Sequence, residues 1–339
     1  VLALRRSGSL HARAIALVGG CLLTASAPHG AAAGFDGSTL TLATWNLEWL
    51  IAPATFNRLA RDCVPEGASS PRSQRRLPCD VVQRFDRSNR DFQALERYAS
   101  ELDADVIALQ EVDGAEAARL VFREHSFCFT GRPHVQNTGF AIRRGVPFRC
   151  GPDARSLALD DSLRRGAELI LFPGEPREIR LLSVHLKSGC RTDALDSRGK
   201  ACRDLARQTP ALESWVDAQA RAGRKFGVLG DFNRDLLGEA RRADAATPEQ
   251  AHRWLWTEVN DGDPPGATLV NVAAGQRFRN CVPGQSFTSY IDHIVLSESL
   301  APRVVPGSFR RVTYTATDAR RSKLSDHCPV AVQLRVTPP

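Results

Sequence analysis

The chain predicts an α/β fold of layered mixed sheets with helices outside them, on three observations. Apolar runs rich in Val, Ile and Leu recur along its 339 residues, several nearly continuous, as strands covered on both faces read. Helical patterns separate some of these runs and not others, which excludes a purely parallel sheet. Short polar motifs hang on the ends of the runs, where a strand hands its last side chains to a loop.

The expected strands are Leu40–Asn46, Asp105–Glu111, Gly139–Arg143, Glu168–Phe172, Ile179–Leu186, Phe226–Asp231, Ile291–Leu296 and Pro329–Arg335. Before the second, Phe92, Leu95, Tyr98-Ala99 and Leu102 make one helical apolar face. Leu205, Leu212, Trp215-Val216 and Gln219 make another, with Gly223 as its C-cap and Pro210 as a kink or the helix start. Arg61–Pro78 and Gly238–Gly284 read as loop-rich insertions. No linker divides the polar motifs from Asn46 to His327, so one domain, 34–339, must gather them.

Residues 1–33 differ from the rest. Arg5, Arg6 and Arg13 precede an apolar stretch and Ala31-Ala32-Ala33, the order of an export signal. The expected localisation is periplasmic or secreted, the alternative being a lipid anchor at Cys21. Removing that segment lowers the net charge from +7 to +4 because it holds three arginines and no acid. Arginine outnumbers lysine heavily, which suits a polyanionic partner. Eight further cysteines favour disulfides in an exported chain. Proximity pairs Cys190 with Cys202, Cys63 with Cys79 and Cys128 with Cys150, leaving Cys281 with Cys328.

The motifs carry the chemistry. Asp231 and Asn233 end a strand with two-residue spacing, so both side chains aim one way. The carboxylate can take a proton from water while the amide donates to a phosphoryl oxygen. Glu111 closes an almost wholly apolar strand, where a carboxylate needs a partner such as Mg²⁺. Asn46 and Glu48 share a face at another strand end. Asp326-His327 precedes the last strand, His185 ends another, and Asp292-His293 interrupts an apolar run. Asp292 is expected to orient a neighbouring imidazole. Arg164, Arg165 and Lys187 are candidate phosphate contacts.

Together these motifs resemble the endonuclease/exonuclease/phosphatase superfamily, that of deoxyribonuclease I and exonuclease III, from about Leu40 to Leu334 and in the same order. The resemblance implies a four-layer sandwich of two mixed β-sheets flanked by helices, and divalent-metal-dependent cleavage of phosphate esters. It implies Asn46 and Glu111 as metal ligands, with Asp326 beside them. His185, Asp231, Asn233, Asp292 and His327 become the catalytic set. Asn137 stands where deoxyribonuclease I-like members pair a glutamate with the central histidine, and is taken with Arg165 and Lys187 as a substrate contact. The expected cofactor is Mg²⁺, with Mn²⁺ or Ca²⁺ as alternatives. Nucleic acid is the expected substrate of a monomer without a membrane span. The rivals are a hydrolase of lipid or sugar-phosphate esters and a decayed binding or toxin-like protein.

Overall fold

The computed structural model describes Phe35, residues 37–65, 76–245, Thr247 and residues 252–337. The expected export segment, Cys21 included, lies outside the described residues. The described chain builds two six-stranded sheets. Their strands are β1 (Thr39–Leu50), β2 (Val106–Val112), β3 (His125–Phe129), β4 (Asn137–Arg143), β5 (Phe148–Cys150) and β6 (Ala167–Leu171), then β7 (Ile179–His185), β8 (Lys225–Asp231), β9 (Leu269–Asn271), β10 (Asp292–Ser297), β11 (Arg310–Arg311) and β12 (Val330–Arg335). One sheet runs β11-β12-β1-β2-β4-β3 and the other β5-β6-β7-β8-β10-β9. In each, only the two central strands, β1·β2 and β7·β8, are parallel. A helix lies between the members of each parallel pair, Asn89–Leu102 in one half and Lys200–Arg221 in the other. The sheets are thus two copies of one topology, a repeat invisible as sequence periodicity.

Strand alternation sorts the apolar residues into layers. Leu40 and Leu42 of β1, Val106 and Ala108 of β2, Leu181 of β7 and Leu229 of β8 share the core between the sheets. Ala43, Trp45, Ile107 and Leu109 face outward against Phe92, Leu95, Tyr98 and Leu102 of the first helix. Leu182, Val184, Phe226 and Val228 face the other way against Leu205, Leu212 and Val216 of the second. That is the expected four-layer sandwich. The eight expected strands are the four inner strands of the first sheet's β12-β1-β2-β4 set and of β6-β7-β8-β10. The four unforeseen ones, β3, β5, β9 and β11, are all edge strands, covered too little to print an apolar run.

The structure narrows two expectations. Pro210 lies inside Lys200–Arg221 rather than at its start; buried Leu205 and Leu212 hold the helix on both sides of it. Gly238–Gly284 is more than loop, since it supplies β9 and the short helix Leu255–Val259 to the outer core. All four disulfides join the cysteines expected: 63–79, 128–150, 190–202 and 281–328.

Polar groups also tie the halves together. Gln110, fully buried, accepts from Thr44 Oγ1 at 3.2 Å and donates across the sandwich to Ser183 Oγ at 3.1 Å. Asp91, near the start of the first helix, accepts from the N–H and Oγ of Ser88 at 2.7 Å each and from Lys323 N at 2.8 Å. Burial would raise its carboxyl, but these donors hold it below the ordinary carboxylate value. A depressed acid stabilises the fold above the unfolded value near pH 4 and loses that effect as pH falls through the folded value. Asp91→Ala should therefore lower the urea unfolding free energy by about 1–3 kcal/mol at neutral pH, with the deficit shrinking in acid. An unchanged urea midpoint at pH 7 would refute this anchoring.

Candidate active site

The functional side chains meet at one end of the sandwich. The parallel strands β1, β2, β7 and β8 finish there, and the antiparallel β4, β10 and β12 begin there. Plain alternation would turn Glu111 to the outer face with Leu109. A register shift between Asn46 and Leu50, and another between Leu109 and Val112, break it. Glu48, Trp49 and Glu111 take left-handed backbone at φ 43°, 55° and 59°, at a cost of about 1–3 kcal/mol each. Such bulges re-aim side chains, here bringing Glu111 next to Asn46. Gly230 serves the second sheet similarly: at φ 149° a Cβ there would run into the Val184 carbonyl. Only glycine lets β8 lie close to β7 just before Asp231.

Asn46 joins the halves. Its Nδ2 donates to Glu111 Oε1 at 3.3 Å within its own sheet and to Asp231 Oδ2 at 3.1 Å across the sandwich. His185 Nε2 faces the same two carboxylates, 3.4 Å from Asp231 and 3.7 Å from Glu111. Asn233, at φ 54°, donates Nδ2 to Asp231 Oδ2 at 3.1 Å. Asp292 holds His327 Nδ1 at 2.9 Å, leaving Nε2 turned toward Asp231 at 3.9 Å and Asp326 at 3.8 Å. The expected set Asn46, Glu111, His185, Asp231, Asn233, Asp292 and His327 thus lies in one pocket. Asp326 stands at its exposed rim, its N–H given to Glu48 Oε2 at 2.8 Å.

Other expected residues sit differently. Asn137 spends its amide on loop backbone, the carbonyls of His134 and Asp113; its neighbour Gln136 donates to Glu111 Oε2 at 2.6 Å. Arg165 is held by Asp153 and Asp161. Lys187 Nζ bonds the adjacent Ser188 carbonyl. Arg164 is half-buried and donates to the Leu186 carbonyl at 3.2 Å. His293 alternates to the opposite side of β10 and is satisfied by Asn271 and the Arg234 carbonyl. The residue that sequence reasoning missed altogether is Arg87. Its guanidinium donates to the carbonyls of Leu47, Trp49, Lys323 and Leu324, stitching the β1 bulge to the segment that presents His327. An arginine in a polar stretch carries no sequence sign of that role. Gln136 was legible only as the polar residue beside Asn137.

The family model of the Endonuclease/Exonuclease/phosphatase family matches residues 43–327. The chain belongs to that family. Comparison with curated protein sequences returns no match. Among solved structures, a 3′ phosphatase from Neisseria bound to a product DNA hairpin is 18% identical, with a TM-score of 0.53 over 87% of this chain and 99% of that one. An AP endonuclease from Leishmania major is 17% identical, TM-score 0.52, covering 90% of each chain. One from Archaeoglobus fulgidus is 13% identical, TM-score 0.52, over 86% of this chain and 98% of that one. At such identities the likeness is of fold. Family membership makes the protein a metal-dependent phosphodiester hydrolase.

The pocket's electrostatics fit the family's divalent metal. Burial, reinforced by Asp292, pushes the Asp231 carboxyl up to about 7. Burial opposes charge on His327, yet Asp292 and Asp231 hold its imidazole well above the usual value. His185 moves the other way, well below, through burial and then Arg164; among the described residues its Nδ1 has no partner. Asp292 and Asp231 thus face His327, while Glu111 and Asp231 face Arg164. Oxygen-rich donors with the cysteines locked in disulfides suit a hard cation over zinc. Asp231, Asp292 and His327 offer ligand atoms within 4.8 Å of one another, with Glu111 and Asn46 adjoining through Asp231.

The pH consequence has a definite sign. Both raised groups bind protons more tightly folded than unfolded, so without metal they favour folding in acid. Their contribution falls as pH rises from about 4 through about 7 for Asp231 and above about 6.5 for His327. Chelator-treated protein should thus melt lower at pH 7.5 than at pH 5.5, and Mn²⁺ should raise the melting temperature more at pH 7.5. Equal metal-induced shifts at the two values would contradict a cation whose charge displaces the Asp231 proton.

Proposed function

We propose that this protein is an exported, divalent-metal-dependent nuclease, with residues 1–33 as its export signal and 34–339 as the hydrolase. The observation that carries the reading is the cross-sheet pocket itself, in which Asn46, Glu111, His185, Asp231, Asn233, Asp292 and His327 converge. Arginines support a polyanionic substrate: Arg132 and Arg164 act on His185 electrostatically, while Arg191 and Arg311 line an adjoining cavity. Two of the solved neighbours named above are AP endonucleases, and a third was solved with DNA. The four disulfides favour an oxidising compartment.

Asn46 and Glu111 would hold the cation, with Asp326 at the rim, and Mg²⁺ best matches these oxygen donors. The metal supplies charge neutralisation at the phosphate and its leaving oxygen. Asp231, buried and ready to exchange a proton near neutrality, orients and deprotonates the attacking water. Asn233 Nδ2 donates to a non-bridging phosphoryl oxygen. His327, kept charged by Asp292, stabilises the negative charge that builds on the pentacoordinate phosphorus. His185 stays neutral and donates through Nε2. Lys187 reaches a flanking phosphate, while Arg165 stays paired with Asp153 and Asp161 and Asn137 shapes the loop that delivers Gln136 to Glu111.

A panel of plasmid DNA, RNA, sphingomyelin and a sugar-phosphate ester, assayed on the oxidised protein with Mg²⁺, Mn²⁺ and Ca²⁺, tests the substrate class. Turnover of the nucleic acids is expected; turnover of the lipid or sugar ester alone would overturn the nuclease reading. Asp231→Asn should reduce Mg²⁺-dependent cleavage by about 10²–10⁴-fold. A loss of only a few-fold would refute the role given to Asp231.

A further inference from the structure

Beside His327 opens a cavity of about 260 Å³ that no step above uses. Its lining includes Asn233, Asp292 and His327, so it is continuous with the reacting centre. Its far wall is aromatic. Phe278 and Phe287 come from the irregular segment between β9 and β10, and Phe287 is 55% exposed. Among the described residues only Val270 is another large apolar side chain so exposed. A phenyl ring left in water next to a phosphate-ester site is a surface for a planar group.

The wall is rigid. Cys281 within the segment is bonded to Cys328, the residue after His327. Arg311 lies over Phe278 and Tyr290 at 5.2 and 5.3 Å from the ring centroids, and Tyr290 meets Phe278 edge-on at 4.9 Å. Arg191 donates to Ser289 Oγ at 2.6 Å on the other side of the opening. The space falls near the small end of ligand sites and suits a single ring system. A pair of acyl chains would demand a longer apolar trough than two phenyl rings between arginines provide.

We propose that this cavity seats one nucleobase adjoining the scissile phosphate, stacked on Phe287, so that the enzyme requires a base beside the bond it cuts. The inference rests on the nuclease reading and sharpens it. The disulfide ties the segment that carries the stacking ring to the residue after His327, so base capture and phosphate alignment draw on one linked stretch of chain. Arginine and phenyl together accept any base, since every base presents a π-face.

Thymidine octanucleotides, intact or with one central sugar lacking its base, test this on the oxidised Mg²⁺-loaded protein. One of the two linkages flanking the baseless sugar should be cut at least about tenfold more slowly than in the intact octamer, while distant linkages are cut normally. On the intact octamer Phe287→Leu should lower kcat/KM about as much, and Phe287→Tyr should hold it within about threefold. Because the ring is exposed, both variants are expected to fold. Even cutting of all linkages, or equal effects of Leu and Tyr, would overturn the base seat. If no linkage of any octamer is cut while another phosphate ester is hydrolysed, the nuclease reading fails and the base seat with it.

Discussion

One amide holds the two sheets in register at the site. Asn46 Nδ2 lies between a carboxylate of its own sheet and one from the other, 3.3 Å from Glu111 and 3.1 Å from Asp231. Two sheets packed through apolar side chains can slide by fractions of an ångström at little cost. Polar groups that must be satisfied in burial are less forgiving. The Thr44–Gln110–Ser183 chain beneath Asn46 spans the same gap, so the pocket floor is fixed at two levels. Everything above depends on that register: His185 reaches both acids, and Asp292 hands His327 to Asp231, only while the halves stay aligned.

The second constraint is backbone strain placed at the mouth. Four non-glycine residues there, Glu48, Trp49, Glu111 and Asn233, take left-handed conformations. The surroundings compensate. Arg87, buried, ties both sides of the β1 bulge to the Lys323–Leu324 carbonyls; burial lowers its pKa to about 10, leaving it charged at neutral pH. Trp45 and Tyr314 donate to the His327 carbonyl at 3.2 and 2.6 Å. The β1 strand and Arg87 thus donate to carbonyls at the opposite end of the chain, which is how a pocket whose walls lie 282 positions apart in sequence keeps its shape.

Legibility in the sequence followed burial. Strands covered on both faces, such as Val106–Val112 and Ile179–His185, showed as apolar runs, and the acids and imidazoles ending them stood out as polar residues closing apolar runs. Helix faces such as Phe92–Leu102 were legible for the same reason. Edge strands, with one face and one edge in water, left no such trace. Within the site, terminal residues of apolar runs were found, whereas Arg87 and Gln136 were not. Their roles arise from backbone carbonyls and a bulge that bring distant segments together, and no spacing rule encodes such a meeting. Asn137 and Arg165 show the converse, polar residues near the pocket whose side chains are engaged by neighbouring loops.

Asn46 and Glu111 are proposed to hold a divalent cation at the seam where the second sheet brings Asp231. The most direct measurement is an anomalous-difference map from a crystal soaked in Mn²⁺. A peak is expected in contact with the Glu111 carboxylate and the Asn46 side chain, beside Asp231 and His327 in the pocket. A crystal with no peak in that pocket, or with manganese bound only elsewhere on the surface, would contradict it.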